Sequence, residues 1–421
     1  MTELERIDRQ NIWHPFSPLA GNKPIPVEKA RGCYLYTTDG RKILDAISSW
    51  WVNIHGHGNP AIAQAIADQA RELEQVIFAG FTHRPAVQLS ELLMRILPSC
   101  MDKLFFSDNG STSTEVAIKL SIQYWYNRGH RKRKVIAIEG AYHGDTFGAM
   151  SVGDRGSIFN VPFKDLLFDV EYLSFPDETG SDVIAQMKNL ATEDTAAFIF
   201  EPLVQGAAGM RIYEARVLDE LISIAKSRGI LCIADEVMTG FGRTGKNLAC
   251  DYLEQDPDII CLSKGITGGF LPMGVTAVSK QITAGFDSTD KSKAFFHGHS
   301  YTANPLACAA AVASTELLLT SEVQAQISSI SKSHKSYIKQ FRFIEKVASI
   351  KSQGTILSIE LPVEDSGYVS HIKEKIYDYF MERNLLLRPL GNVIYLIPPY
   401  VITTKELKTI YATIDQFLSD S

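Results

Sequence analysis

The residues best equipped for chemistry in this chain stand at the ends of short apolar runs. Pro257-Asp258-Ile259-Ile260-Cys261-Leu262-Ser263-Lys264-Gly265 reads as a buried strand that delivers one lysine to its tip. An ammonium group in an apolar setting is costly unless its pKa falls or it finds a partner. The chemistry that uses such an amine is imine formation, where a desolvated amine is the nucleophile. On these nine residues alone, the simplest reading is a surface lysine just past a strand end. Other runs end in the same manner. Residues 230–234 run into Asp235-Glu236, 196–200 into Glu201-Pro202, and 134–138 into Glu139-Gly140-Ala141-Tyr142. Leu104-Phe105-Phe106 is followed by Ser107-Asp108-Asn109-Gly110-Ser111-Thr112-Ser113-Thr114-Glu115 and then by helical periodicity over 116–125.

These runs need a frame that brings their tips together. Strands alternating with helical stretches predict a mostly parallel sheet wrapped by helices, and in such sheets ligands bind outside the carboxyl ends of the strands. Gly110, Tyr142, Asp235 and Lys264 all fall at such ends or in the loops just after them. Thr112 and Glu115 fit a capping box, which starts a helix there. A strand, a Gly/Ser/Thr turn and a helix N-terminus offer amides, hydroxyls and a positive dipole end to a phosphate. The turn matches neither the Walker pattern nor GxGxxG, so a nucleotide fold is not indicated. A lysine that forms an imine and an aspartate on a neighbouring strand end together suggest pyridoxal phosphate. That cofactor withdraws electrons only while its ring nitrogen stays protonated, and a carboxylate beside the nitrogen holds the proton there. Lys264 is then the imine-forming base, Asp235 the ring-nitrogen partner, Tyr142 a stacking residue, and Gly110-Ser111 the phosphate turn.

The remaining stretches supply the surroundings. Residues 11–19 are aromatic and proline-broken, an extended arm. Two short runs flank Thr38-Asp39-Gly40 as a hairpin. Residues 48–60 form a glycine-rich loop carrying Trp50 and Trp51. Adjacent tryptophans cannot face one core from a strand, so one or both line a cleft, or both fill core from an irregular loop. Helices are expected over 61–73, 85–97 and from Asn304-Pro305 onward, where small residues permit close packing. After residue 320 the character changes to a polar helix, a strand pair at 348–361 around Gln353-Gly354, a helix near 367–383 and a last amphipathic helix from 404. The expected organisation is an arm and hairpin over 1–47 that joins the smaller unit, a large domain over 48–320, and a small α+β domain over 321–421.

Composition sets outer limits. The 421 residues are too many for one compact core, and a net charge of −6 argues against nucleic acid or an anionic membrane as main partner. The basic cluster at 128–134 reads as a solvated helix end. The six cysteines show no CxxC pair, no secretion signal is visible at the N-terminus, and no apolar run reaches the length of a membrane span. A reducing cytoplasm is the expected compartment. Two His-x-His pairs, 55/57 and 297/299, lack a third ligand at a telling spacing, so no metal is expected.

The span 230–264 resembles the long signature of the class III, fold-type I pyridoxal phosphate aminotransferases: an apolar run ending in Asp235-Glu236-Val237, then Thr239-Gly240-Phe241-Gly242-Arg243-Thr244-Gly245, then a strand ending in Ser263-Lys264-Gly265. Within that class, Trp13-His14-Pro15, Ser49-Trp50-Trp51, Tyr142-His143-Gly144-Asp145-Thr146-Phe147-Gly148, Val204-Gln205-Gly206 and Arg388-Pro389 resemble the branch that aminates 8-amino-7-oxononanoate in biotin biosynthesis. The resemblance implies an α/β fold, a mostly parallel-sheet domain with a smaller α+β domain, and a homodimer with shared sites. It assigns Lys264 to the Schiff base, Asp235 to the ring nitrogen, Tyr142 to the ring face, and Gly110 and Ser111 to the phosphate. Ser300, where the family more often has threonine, would reach the site of the second subunit. Trp50 and Trp51 would wall the oxo acid's alkyl chain, and Arg388 would clamp its distal carboxylate. Phe16, Gly298 and Arg243 complete the substrate-binding set, Arg243 as an ion-pair partner near the cleft.

Phe16 bears on the amino donor. Members that use S-adenosylmethionine commonly carry tyrosine after Trp-His-Pro, and lysine-using relatives resemble this chain at Phe16 and over 297–301. Trp13-His14-Pro15 and the tryptophan pair point instead to S-adenosylmethionine, with lysine as the alternative. The rival readings are a class III transaminase for ω-amino acids or diamines, and a silent cofactor-binding protein. The presence of both Lys264 and Asp235 speaks against the silent protein.

Overall fold

A computed structural model describes residues 2–21, 23–154, 156, 160–362 and 371–420. In chain order its strands are β1 (Val27–Arg31), β2 (Tyr34–Thr37), β3 (Lys42–Asp45), β4 (Met101–Ser107), β5 (Lys134–Ile138), β6 (Val170–Leu173), β7 (Thr195–Phe200), β8 (Val204–Gln205), β9 (Arg211–Ile212), β10 (Leu231–Asp235), β11 (Ile259–Leu262), β12 (Gly274–Ser279), β13 (Ser349–Gln353), β14 (Ile356–Glu360), β15 (Leu385–Leu386) and β16 (Val393–Leu396). Seven of them form the central sheet in the order β4-β12-β11-β10-β7-β5-β6. Strands β7, β10 and β11 are buried throughout, as their continuous apolar runs require of strands covered on both faces.

The expected α/β fold with a large, mostly parallel sheet is what forms. Pairings β11–β10, β10–β7, β7–β5 and β5–β6 are all parallel. The exception is β12, which the sequence reading passed over and which runs antiparallel between β4 and β11. Its run Gly274-Val275-Thr276-Ala277-Val278-Ser279 is short and rich in small residues, so it carries little periodic signal. In register, Asp235 stands opposite Cys261, which places it and Lys264 on one edge of the sheet.

Three smaller sheets surround this core. The expected hairpin pairs Tyr36 with Lys42 and turns at Gly40, whose φ of +85° suits glycine. Strand β15 adds in parallel to β3, with Leu385 opposite Leu44 and Leu386 opposite Asp45, so the sheet of the N-terminal hairpin is completed from the far end of the chain. The strand pair expected around Gln353-Gly354 is β13–β14, extended by β16.

Two helix starts differ from expectation. The helix after β4 spans Gly110–Asn127, and its capping box is Asn109 with Thr112, three residues earlier than Thr112 with Glu115. Asparagine accepts from the third amide as well as threonine does, and Glu115 is used elsewhere: its Oε1 accepts from the amides of Gly148 and Ala149. A helix Glu3–Asn11, with a Thr2/Glu5 capping box, precedes the aromatic arm. The start of the helix expected near 367 lies outside the described residues; its described part is His371–Glu382. Among the described residues no single helix is long and apolar enough to cross a membrane.

Candidate active site

A cavity of about 610 Å³ lies at the carboxyl edge of the central sheet. Its wall contains Lys264, Asp235, Tyr142, Gly110, Ser111, Trp50, Trp51, Phe16 and Arg388, nine of the twelve residues that the sequence singled out.

Lys264 opens a short 3-10 turn directly after β11 and takes a left-handed φ of +47°. Its neighbour Ser263 anchors the turn by donating to the Met273 carbonyl at 2.6 Å. The ammonium nitrogen stands 4.8 Å from the centre of the Trp51 ring. Burial lowers its pKa; Asp235 and Glu201 oppose that shift and Arg243 adds to it. A lysine held this way supplies neutral amine at lower pH than a solvated one.

Asp235 closes β10 with both carboxylate oxygens engaged. Oδ1 accepts from the Val237 amide at 3.0 Å, and Oδ2 accepts from His143 Nδ1 at 2.6 Å. His143 is wholly enclosed, and its Nε2 has no hydrogen-bond partner among the described residues. His143 is not among the residues expected of the site, although it sits beside Tyr142 in the same loop. The only signal for it was that adjacency.

Also in the cavity wall, Asn109 caps the helix Gly110–Asn127. Its side chain takes the Thr112 amide at 2.9 Å and its carbonyl takes the Ser113 amide at 3.0 Å. The amides of Gly110 and Ser111, the first two of the helix, have no intrahelical acceptor and lie in the cavity wall. Ser111 Oγ meets Thr146 Oγ1 at 2.7 Å and accepts from the Thr146 amide. The two segments approach so closely that a Cβ on Gly144 would stand 2.3 Å from Ser111 Cβ.

Glu201, just past β7, also faces the cavity, and the sequence reading noted its position without assigning it work. It accepts from the Tyr142 amide at 3.1 Å and from the Gly206 amide at 2.8 Å, fastening two loops of the cavity wall together. Burial pushes its carboxyl up to about 7, and nearby Asp235 adds to the effect while His143 opposes it. The folded protein therefore keeps a proton that the unfolded chain, with the ordinary value of 4.5, has already released. Through this group, stability falls as pH rises from 4.5 to 7. Glu201→Gln removes that dependence. Between pH 5 and 8 the variant is expected to gain about 3 kcal/mol relative to the parent, read by urea unfolding.

Trp50 and Trp51 both line the cavity, which decides between the two expectations for them. They lie on a single turn, Ser48–Trp51, rather than in an irregular loop. Trp51 is buried and donates from Nε1 to the Tyr395 hydroxyl at 3.1 Å. Trp50 is half-buried, with Phe16 edge-on at 5.3 Å between ring centres and the Arg388 guanidinium 4.6 Å from its ring. Among the described residues no carboxylate pairs with Arg388, so the surface salt bridge that would otherwise explain it is not formed.

Three expected site residues lie elsewhere. Arg243 is buried outside the cavity wall, and among the described residues no carboxylate pairs with it. Its guanidinium donates to the carbonyls of Trp51 at 3.0 Å and Pro398 at 2.8 Å, so backbone oxygens, not a carboxylate, take its hydrogen bonds. Ser300 is exposed, its carbonyl accepting from Gln75, and neither it nor Gly298 borders this chain's cavity. Of the four histidines in the two His-x-His pairs, His55 bonds the Ser314 carbonyl, His57 meets Asp45, His297 stacks on Phe295, and His299 Nδ1 accepts from the Tyr301 amide.

The donor set suits pyridoxal phosphate. An amine with a lowered pKa matches an aldehyde, a buried carboxylate fixed by His143 matches a protonated ring nitrogen, and two helix-start amides beside a hydroxyl match a phosphate.

Comparison with known proteins agrees with this chemistry. The adenosylmethionine-8-amino-7-oxononanoate aminotransferase of Synechococcus elongatus is 47% identical, over 97% of this chain and 99% of its own length. The enzyme of the same name from Helicobacter pylori is 35% identical over 99% of this chain and 98% of its own. Among solved structures, the adenosylmethionine-8-amino-7-oxononanoate aminotransferase of Methanocaldococcus jannaschii has a TM-score of 0.93 at 34% identity and covers 99% of both chains. An amine transaminase from an uncultivated Pseudomonas species, solved in its PLP-bound form, has a TM-score of 0.88 at 29% identity, over 96% of this chain and 97% of its own. The family described as Aminotransferase class-III matches residues 16–418, and the chain belongs to it.

Proposed function

We propose that this protein transfers an amino group to the oxo carbon of 8-amino-7-oxononanoate, giving 7,8-diaminononanoate for biotin biosynthesis, with S-adenosylmethionine as donor and pyridoxal phosphate as cofactor. The observation that carries the reading is the pair of nitrogen groups on consecutive tryptophans: the Lys264 amine on Trp51 and the Arg388 guanidinium on Trp50. A chain with a reactive carbonyl towards one end and a carboxylate at the other matches an amine, an aromatic wall and a guanidinium in series. The names of the relatives from Synechococcus elongatus and Helicobacter pylori support both substrate and donor.

When bound, pyridoxal phosphate supplies an aldehyde that takes up amino groups and a protonated ring that draws electrons from the neighbouring carbon. Lys264 Nζ would hold the aldehyde, then take and return the proton at the reacting substrate carbon. Asp235 would keep the proton on the ring nitrogen, and the His143 hydrogen bond holds its carboxylate in place for that. Tyr142 would cover one ring face, while Gly110 and Ser111 would hold the phosphate. Trp50, Trp51 and Phe16 would exclude water from the alkyl chain.

Ser300 and Gly298 belong, in this reading, to the cavity of a second copy, so the working form is a homodimer. We place it in the cytoplasm, in keeping with six free cysteines. The division into 1–47, 48–320 and 321–421 fits the way β15 joins β3.

The test is the donor half-reaction, followed by the cofactor's absorbance. Bleaching with S-adenosylmethionine, and formation of 7,8-diaminononanoate on adding the oxo acid, is the expected result. Bleaching with lysine alone overturns the donor, and no product with any donor overturns the reading. Arg388→Leu is expected to raise KM for the oxo acid about 10- to 100-fold with a smaller change in kcat, measured by steady-state kinetics, since the guanidinium grips a group remote from the chemistry.

A further inference from the structure

The turn Ser48–Trp51 holds four consecutive non-glycine residues at left-handed φ values of +52°, +45°, +78° and +75°. Each such residue costs roughly 1–2 kcal/mol, and a run of them persists only where the surroundings over-determine it. Those surroundings are visible. Ser48 Oγ donates to the Ile397 carbonyl at 2.7 Å, and Arg243 grips the Trp51 carbonyl. Between these clamps, Ser49 Oγ donates to Asp45 Oδ2 at 2.8 Å.

Asp45 is fully buried and lies outside the cavity wall. Its Oδ1 accepts from the Ile47 amide at 3.1 Å, and its Oδ2 also meets His57 Nε2 at 2.8 Å. The Asn53 side chain holds the other His57 ring nitrogen at 3.0 Å. A buried acid paired with histidine is a poor source of stability, because desolvation offsets most of what the pair gains. What this one does is local: its side-chain bonds reach the turn, the Ile47 amide just before it, or the histidine beside it. Its strand matters too. Asp45 ends β3 opposite Leu386 of β15, so the same pair of strand ends leads on one side to Trp50 and on the other to Arg388.

We propose that Asp45 is a positioning residue for the oxo-acid substrate, holding the left-handed turn through Ser49 and His57 so that Trp50 stands beneath Arg388. The inference rests on the reading above, that this wall and this guanidinium receive the oxo acid. Asp45 touches neither substrate nor cofactor; it acts through the turn.

Two variants of the holoenzyme test it. Asp45→Asn keeps the volume but sets an amide where Ser49 and His57 donate, and Ser49→Ala removes one hydroxyl. Expected for Asp45→Asn is a KM for 8-amino-7-oxononanoate raised about tenfold with kcat changed less than about threefold, and a weakened near-UV circular dichroism signal from the tryptophans; Ser49→Ala moves both in the same direction by less. An unchanged KM, with rates normalised to bound cofactor, overturns the proposal, as does an unchanged tryptophan signal. If Asp45→Asn does not fold, Ser49→Ala decides by the same two readings. If the parent protein turns over no 8-amino-7-oxononanoate, the functional reading has failed, and the tryptophan signal alone decides whether Asp45 holds the turn.

Discussion

Replacement of Lys264 by alanine is expected to lower turnover at least about 10⁴-fold, because one amine both holds the aldehyde and carries the proton at the reacting carbon. The fold should survive. Lys264 lies at the edge of a cavity, and removing its ammonium relieves a desolvated group whose pKa is already depressed by burial. Two measurements check the prediction. Borohydride treatment of the parent should fix cofactor mass to the peptide containing Lys264, and the variant should show none. Small primary amines added to the variant should restore part of the rate, since they supply the missing base without the side chain. Undiminished turnover in Lys264→Ala would overturn the mechanism.

The second large effect belongs to Asp235. Asp235→Asn keeps the side-chain size but removes a buried carboxylate from the cavity wall. The ring-nitrogen proton then loses its counter-charge, and a loss of about 10²- to 10³-fold in kcat follows if the carboxylate raises the ring pKa by two to three units. The amide also turns a poor partner towards His143, whose other ring nitrogen already has no partner among the described residues. The control is chemical: a cofactor analogue methylated at the ring nitrogen carries its positive charge permanently and should recover much of the lost rate in the variant. A rate within twofold of the parent, at equal cofactor content, would remove Asp235 from the role.

Much of this site was legible in the sequence because the central strands are buried on both faces. Continuous apolar runs then mark strands plainly, and the polar residues just after each run mark the edge where ligands bind; Asp235 and Lys264 were singled out in that way. What was missed lacks such a signal. Glu201 stands at a strand end like the others, but its work consists of two hydrogen bonds to loops whose proximity depends on the fold. Arg243 was expected as an ion-pair partner near the cleft from its place in the family motif; only the packing shows its guanidinium donating to carbonyls. The left-handed turn at Ser48–Trp51 was invisible for a stronger reason, since neither serine nor tryptophan favours that conformation and distant contacts, beside the nearby Asp45, help to impose it.

Those distant contacts have a consequence for synthesis. Ser48 finds its acceptor 349 residues further along the chain, and Trp51 finds Tyr395 344 residues away. Residues around Asp235 and Lys264 can meet while the C-terminal strands are still unmade, since they come from neighbouring strands of the central sheet. The oxo-acid wall cannot. During translation it must wait until β16 has left the ribosome, and contacts of such long range are the slow ones to close. A nascent chain, or one shortened before β16, would therefore carry its amine and carboxylate in place while lacking the means to choose what they act upon.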